Sequence, residues 1–284
     1  VFLESRQLSF RSNKLLAAEK SNIPGDYYNI FQDDAWAESL KKQGFVVAGK
    51  TRSFACIFRL PPGFCIVNAT HTDSEPNLQS IKNTGCRHGV IFWSPWERKN
   101  APRPWMRSLL PLHQKGNGLA LVSQAYQDKW SQMARRNLKK FQAFSITIES
   151  AGADKFIQGL RLSTLKSSLK NSFASMINNM SHAPPEFAVA QKDGKIIGGL
   201  AVVNYANISA HFVAYLTKEG QRCQAGVGLI DWWYKYALKN NIKYLNFGHI
   251  RQRGEPRSWQ GYSDFKRKFI DQEIRLPNGF WRFF

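Results

Sequence analysis

The chain has 284 residues, with 40 Lys plus Arg against 20 Asp plus Glu, and a formal charge of +20. Hydrophobic residues make up 43% and aromatics 13%, which excludes a disordered basic tail and allows one large domain or two of about 140 residues. No apolar run approaches the ~20 residues of a bilayer span, and Val1–Lys14 lacks the apolar stretch of a signal peptide.

In chain order, the pattern predicts a helix over Tyr28–Gly44. Phe31, Trp36 and Leu40 share one face of it, and Asp33 and Asp34 sit in its first turn. Short β-type runs follow at Phe45–Val47, Phe54–Leu60 and Phe64–Val67, with a turn at Pro61-Pro62-Gly63. A short helix over Asn77–Asn83, a strand over Gly89–Trp93, a Pro-rich loop over Ser94–Pro104 and a strand over Gly118–Val122 come next. Gln124–Phe141 reads as one basic helix with Trp130, Met133 and Leu138 on its buried side. A strand over Phe144–Glu149 precedes helices over Ala153–Asn171 and Asn171–Ser181, which end at Ala183-Pro184-Pro185.

The later pattern is cleaner. Phe187–Gln191, Ile196–Tyr205 and Ile208–Leu216 form a meander, with a hairpin turn at Lys192-Asp193-Gly194. A loop over Thr217–Gly228 leads to a helix over Leu229–Asn240, whose Leu229, Trp232, Trp233, Tyr236 and Ala237 make an apolar stripe. A strand over Lys243–Phe247, a basic loop to Tyr262, a short helix from near Ser263 and a last strand over Gly279–Phe284 complete the chain. Helix, strands, helix, strands thus occurs twice. The expected class is α/β (α+β): two similar lobes, residues 1–150 and 151–284, each a mixed, mostly antiparallel sheet flanked by helices.

A sequence pI near 10.0 calls for an anionic partner: nucleic acid, a phosphorylated substrate or an acidic membrane surface. Cys56, Cys65, Cys86 and Cys223 form no CxxC and no metal-ligand spacing, so no metal is expected. Four cysteines are too sparse for a disulfide scaffold. They read as reduced, which favours a cytoplasmic location.

The second half has the element order of a GNAT-type acyltransferase core. Its loop Gln221–Gly228 runs into a helix N-terminus, where backbone N–H groups and the helix dipole favour phosphate. Gly226 and Gly228 fit the spacing of a pyrophosphate loop; Cys223 stands where a basic or amide residue is usual, and Arg222 comes one position early. The stretch NFGHIRQRGEPRSWQGYSDFKRKF, Asn246–Phe269, is more specific. With Trp259, Gly261, Phe265, Lys266 and Phe269 in register, it resembles the Fem family of aminoacyl transferases, tandem GNAT-like proteins that build peptidoglycan cross-bridges from aminoacyl-tRNA. Phe31–Phe45, Arg59–Phe64 and Arg135–Phe141 are similar, in the right order, to the family's opening helix, its leucine-proline turn and its basic segment before the lobe junction. The departures lie on the acceptor side. Ser168 stands where the family has an arginine that contacts the phosphate of a nucleotide-linked muropeptide, and only Lys41 and Lys42 lie near the place of its substrate-holding lysine.

The resemblance implies transfer of an aminoacyl group from aminoacyl-tRNA to an amine acceptor, such as a cell-wall precursor, with no cofactor besides that co-substrate. Lys266 would stabilise the charge on the carbonyl oxygen and Phe265 would position it. Gly226, Gly228, Arg222 and Trp259 would bind the donor. Arg135, Arg136, Lys139 and Lys140, with Arg251, Arg253 and Arg257, would grip RNA phosphates, and Trp259 would stack on a base. Asp264, Glu255 and His249 are candidate bases that read more readily as structural or solvated, and His211 reads as a core histidine; deprotonation assisted by the substrate would need no base at all. An acyl-CoA-dependent N-acyltransferase is the first alternative. A non-catalytic RNA- or envelope-binding protein, with peripheral membrane contact, is the second.

Overall fold

The computed structural model describes residues 32–284 other than 73, 96–102, 109–114, 181–183 and 278. Helix α1 (Asp34–Lys42) is capped by the Asp33 side chain, which accepts the Ala35 N–H. Strands β1 (Val46–Ala48), β2 (Ala55–Leu60) and β3 (Phe64–Thr72) form an antiparallel meander. Helix α2 (Leu78–Lys82) carries the chain across to β4 (His88–Pro95), which lies parallel to β3. Strand β5 (Met106–Arg107) is short, and β6 (Gly116–Leu121) leads through α3 (Tyr126–Lys129) to α4 (Gln132–Gln142).

The second meander begins with β7 (Ile146–Ala151), followed by α5 (Ala153–Leu162) and α6 (Ser167–Asn179). Strands β8 (Glu186–Lys192), β9 (Lys195–Tyr205) and β10 (Ile208–Leu216) are antiparallel neighbours. Helices α7 (Lys218–Arg222) and α8 (Ala225–Lys239) cross to β11 (Tyr244–His249), parallel to β10. Helix α9 (Gln260–Lys266), β12 (Gln272–Arg275) and β13 (Phe280–Phe283) follow.

The result is two mixed sheets flanked by helices, as the pattern predicts. Their orders are β1-β2-β3-β4-β13-β5 and β12-β6-β11-β10-β9-β8-β7. The sheets do not change over at residue 150. Strands β6 and β7 already belong to the second sheet, and β13 returns to the first between β4 and β5. Packing accounts for both crossings. Phe280 of β13 fills the first core beside Trp93, with ring centroids 5.4 Å apart. Helix α4 lies on α8, where Ala134 and Leu138 enter the core of the second sheet with Trp233 and Tyr234.

Several local expectations change. The basic helix breaks at Trp130, and Ser131 caps α4 by accepting the Ala134 N–H. Met133 is exposed, while Trp130 and Leu138 are buried. The helix expected to run to Asn171 stops at Leu162, because the next turn is tied to β10 by the Thr164 N–H on the Leu216 carbonyl, 3.1 Å. The loop before the apolar-striped helix contains α7, and α8 starts at Ala225 rather than Leu229. The cysteines are not all reduced: Cys65 at the start of β3 and Cys86 just before β4 form a disulfide, and Cys56 and Cys223 are free. The parallel pairing of β3 with β4, Cys65 opposite Gly89, brings the two together. The expected helix residues Tyr28–Phe31 and Ser181, residue Ala183, and residues 96–102 of the Pro-rich loop lie outside the described residues.

Candidate active site at the fork between two strands

Strands β10 and β11 pair only over Ile208–Ala210 with Tyr244–Asn246. Beyond that they part. β10 stays on β9 through a bulge between His211 and Val213, and β11 stays on β6 with an irregularity between Asn246 and Gly248. Gly248 takes a φ of +69°, the left-handed region open to glycine, and its N–H donates to the Asn246 side chain at 2.7 Å. The fork therefore opens at His211 on one side and Phe247–Gly248 on the other.

Helix α9 delivers Lys266 into this fork. Its Nζ donates to the Phe247 carbonyl and lies 3.8 Å from the centroid of the Tyr262 ring, one turn earlier on α9. Lys266 is 3% exposed and has no carboxylate partner among the described residues. Burial penalises the ammonium and pushes its pKa well below the usual lysine range. The outer side of Tyr262 is exposed. Phe265 packs on Phe269, centroids 5.0 Å apart, and borders Gly226, where a Cβ would lie 3.4 Å from its ring. The Phe-Lys pair thus locks against the start of α8 with one side chain and enters the fork with the other.

His211 is the residue that sequence reasoning places in the core and the structure places at the fork. The residue as a whole is half-buried, and its ring lies 6.2 Å from the Tyr262 ring and 6.5 Å from the Trp233 ring. Burial first, and the neighbouring Lys266 second, hold its pKa well below the usual histidine range. The register shift just after it leaves no mark in the alternation of ISAHFVAYL, so no sequence signal distinguishes it.

The other expected residues are dispersed. Gly228 faces the Phe141 ring of α4, which lies 2.4 Å from the place of a Cβ, so this glycine sets the approach of two helices. Arg222 lies at the end of α7 and lines an open cleft of about 810 Å³ with Lys155, Lys195, Lys218, Thr164 and Leu162; Lys266 is not part of that lining. Trp259 is 39% exposed and meets the His249 ring edge-on at 4.9 Å. Arg251 braces its own loop, donating to the Pro256 carbonyl at 2.9 Å and the Gln260 side chain at 2.8 Å, whereas Arg253 and Arg257 are exposed. Arg135, Arg136, Lys139 and Lys140 all project to solvent along α4.

Among the candidate bases, Glu255 is buried and accepts the backbone N–H groups of Lys115 and Gln252 while facing His249 Nε2 at 3.1 Å. Asp264 is exposed and holds Gln260 and Arg267. Glu255 braces the loop before α9, and Asp264 links the two ends of α9 itself. No group of His, Cys, Asp and Glu suited to a metal ion occurs among the described residues. No described helix is long and apolar enough to cross a membrane.

No protein-family model and no curated protein matches the sequence. Solved structures do match in fold. FemX superposes with a TM-score of 0.64 over 90% of this chain and 92% of its own, at 8% identity. A C-terminal domain assigned to a lysylphosphatidylglycerol synthetase of Agrobacterium fabrum gives 0.61 over 89% and 88%, at 13% identity. L-PGS from Bacillus licheniformis gives 0.51 over 84% and 82%, at 10% identity. With its two mixed sheets flanked by helices superposing over nine-tenths of both chains, this chain has the FemX fold.

Proposed function

We propose that this protein is an N-acyltransferase that moves an aminoacyl group from aminoacyl-tRNA to an amine, forming an amide. The observation that carries the reading is the placement of Lys266 in the fork. A buried amine that rests on the Phe247 carbonyl and the Tyr262 ring, with no carboxylate partner among the described residues, lacks a counter-charge in the resting site. The negative charge that develops on the carbonyl oxygen during acyl transfer would supply it. The interaction is then stronger in the transition state than before it, which is what accelerates a reaction. Phe265, wedged between Phe269 and Gly226, fixes the position of α9 relative to α8.

Two features favour tRNA over acyl-CoA as donor. Helix α4 offers four exposed cations on consecutive turns, suited to a phosphate backbone. The segment before α8, in contrast, spends its N–H groups internally: Gly220 on Thr217 Oγ1, Gln221 on the Thr217 carbonyl, Cys223 on Glu219, and Val227 and Gly228 on Gln224. Few remain to cradle a pyrophosphate. In this reading Arg135, Arg136, Lys139, Lys140 and Arg253 contact RNA, and the exposed Trp259 stacks on a base near the charged end. The acceptor is an amine, with a cell-wall precursor as the first class to examine, and the site works without a metal or cofactor.

The test is parallel binding of alanyl-tRNA, uncharged tRNA and acetyl-CoA to the purified protein at low and high salt. Salt-sensitive binding that prefers the charged tRNA is the expected result. Saturable acetyl-CoA binding with weak, unselective tRNA affinity would replace this reading with an acyl-CoA-dependent enzyme. RNA binding without any loss of the aminoacyl ester, whichever amine is supplied, would leave a binding protein.

A further inference from the structure

In the reaction proposed above a proton must leave the attacking ammonium; His249 and Glu255 are occupied in bracing a loop, and Asp264 lies on the exposed face of α9, bonded to Gln260 and Arg267. We infer that His211 is the acceptor of that proton. The inference rests on the acyl-transfer reading and on the geometry of the fork. Ala210 is the last β10 residue paired with β11, so His211 is the first that faces the gap. The register with β9 shifts just after it, and its ring lies beside those of Tyr262 and Trp233. The carbonyl that holds Lys266 belongs to Phe247, the equivalent first residue past the last pair on β11. Proton acceptor and charge stabiliser thus stand on opposite lips of one opening.

The titratable groups placed beside the ring are Lys266 and Tyr262, both on α9. Among the described residues neither is an acid that would hold an imidazolium, and α8 places the Trp233 indole beside the ring. The resting ring is therefore neutral, with a nitrogen lone pair to offer.

The attacking ammonium gives one proton to the imidazole. The freed lone pair forms the C–N bond at the ester carbonyl carbon, and the charge on the carbonyl oxygen is met by Lys266. The C–O bond to the ribose then breaks, and the departing oxygen takes the proton from the imidazolium. The extra proton on the new, positively charged nitrogen leaves to solvent. One ammonium and one ester become one amide, one hydroxyl and one free proton.

The experiment measures transfer from alanyl-tRNA, and separately from acetyl-CoA, to a lysine-bearing peptide across about pH 5 to 9. Wild type, His211→Gln and His211→Ala are compared, each first shown to melt cooperatively. The expected result is a loss of about 10²-fold in kcat for His211→Gln with KM retained, loss of the acid limb of the pH profile, and partial rescue of His211→Ala by free imidazole. Wild-type transfer with an unchanged kcat and pH profile in His211→Gln overturns this role and leaves the acyl-transfer reading standing. Absence of wild-type transfer from either donor overturns both.

Discussion

Lys266 Nζ donates to the carbonyl oxygen of Phe247, a bond from the end of one helix to the strand residue at which two parallel strands separate. It ties α9 to β11, and it is the only hydrogen bond seen for that amine among the described residues. Lys266→Met keeps most of the side-chain volume and removes the amine. Turnover is expected to fall by about 10²-fold or more, with donor binding retained. A correctly folded variant with full turnover removes Lys266 from the chemistry.

The same residue makes a pH signature. An unfolded lysine keeps its proton to about pH 10.4, whereas in the fold Lys266 gives it up earlier. Between the lowered value and ~10.4 the unfolded chain binds the extra proton, so stability rises with pH across that window and is lower beneath it. His211 acts in the same direction below about pH 6.5. Denaturant melts at stepped pH should show the alkaline slope in wild type and a smaller one in Lys266→Met.

Replacing Arg135, Arg136, Lys139 and Lys140 together by glutamine should leave the fold intact, because all four side chains are in solvent. The affinity for tRNA should fall. The dependence of log affinity on log salt should flatten by roughly 0.7 to 0.9 for each phosphate that is no longer neutralised. An unaltered slope assigns α4 to the solvated surface.

Gly228→Ala places a methyl group against the Phe141 ring. The expected cost is about 1–3 kcal/mol, from overpacking where α4 meets α8. Adding Phe141→Leu should recover part of it, since the two side chains compete for one space and their effects are then not additive. Equal, additive losses would show that the helices adjust independently.

Denatured without reductant, the protein should alkylate at Cys56 and Cys223 only. Cys65→Ala with Cys86→Ala opens the loop between β3 and β4 and should cost about 3 kcal/mol by the chain-entropy argument. Alkylation of all four cysteines would contradict the Cys65–Cys86 bond. The Cys56 thiol is pushed up to about 11 by burial, so it should react slowly in the folded protein.

The strand meander Phe187–Leu216 and the striped helix after it are legible in the sequence because alternation and helical spacing report one buried face at a time. The Phe265–Lys266 pair is legible through a motif that spans α9. What escapes the sequence is the meeting of distant segments. The cysteine pair Cys65–Cys86 depends on two strands lying parallel. The fork position of His211 depends on where β11 leaves β10. Gly228 looks like a phosphate-loop glycine because its reason, a phenylalanine 87 positions earlier, is invisible along the chain. The short β5 and β12 carry too few residues for any periodicity and are set by their partners β13 and β6.

The return of β13 to the first sheet also orders events in time. On the ribosome, β1 to β4 emerge early, yet the strand that joins β4 to β5 is made after the whole second sheet. The sheet begun first is therefore completed after the second, and the edge of β4 that β13 takes stays open until β13 is made. A nascent chain in that state offers an open edge for wrong pairing, which makes elongation speed and chaperone access determinants of yield.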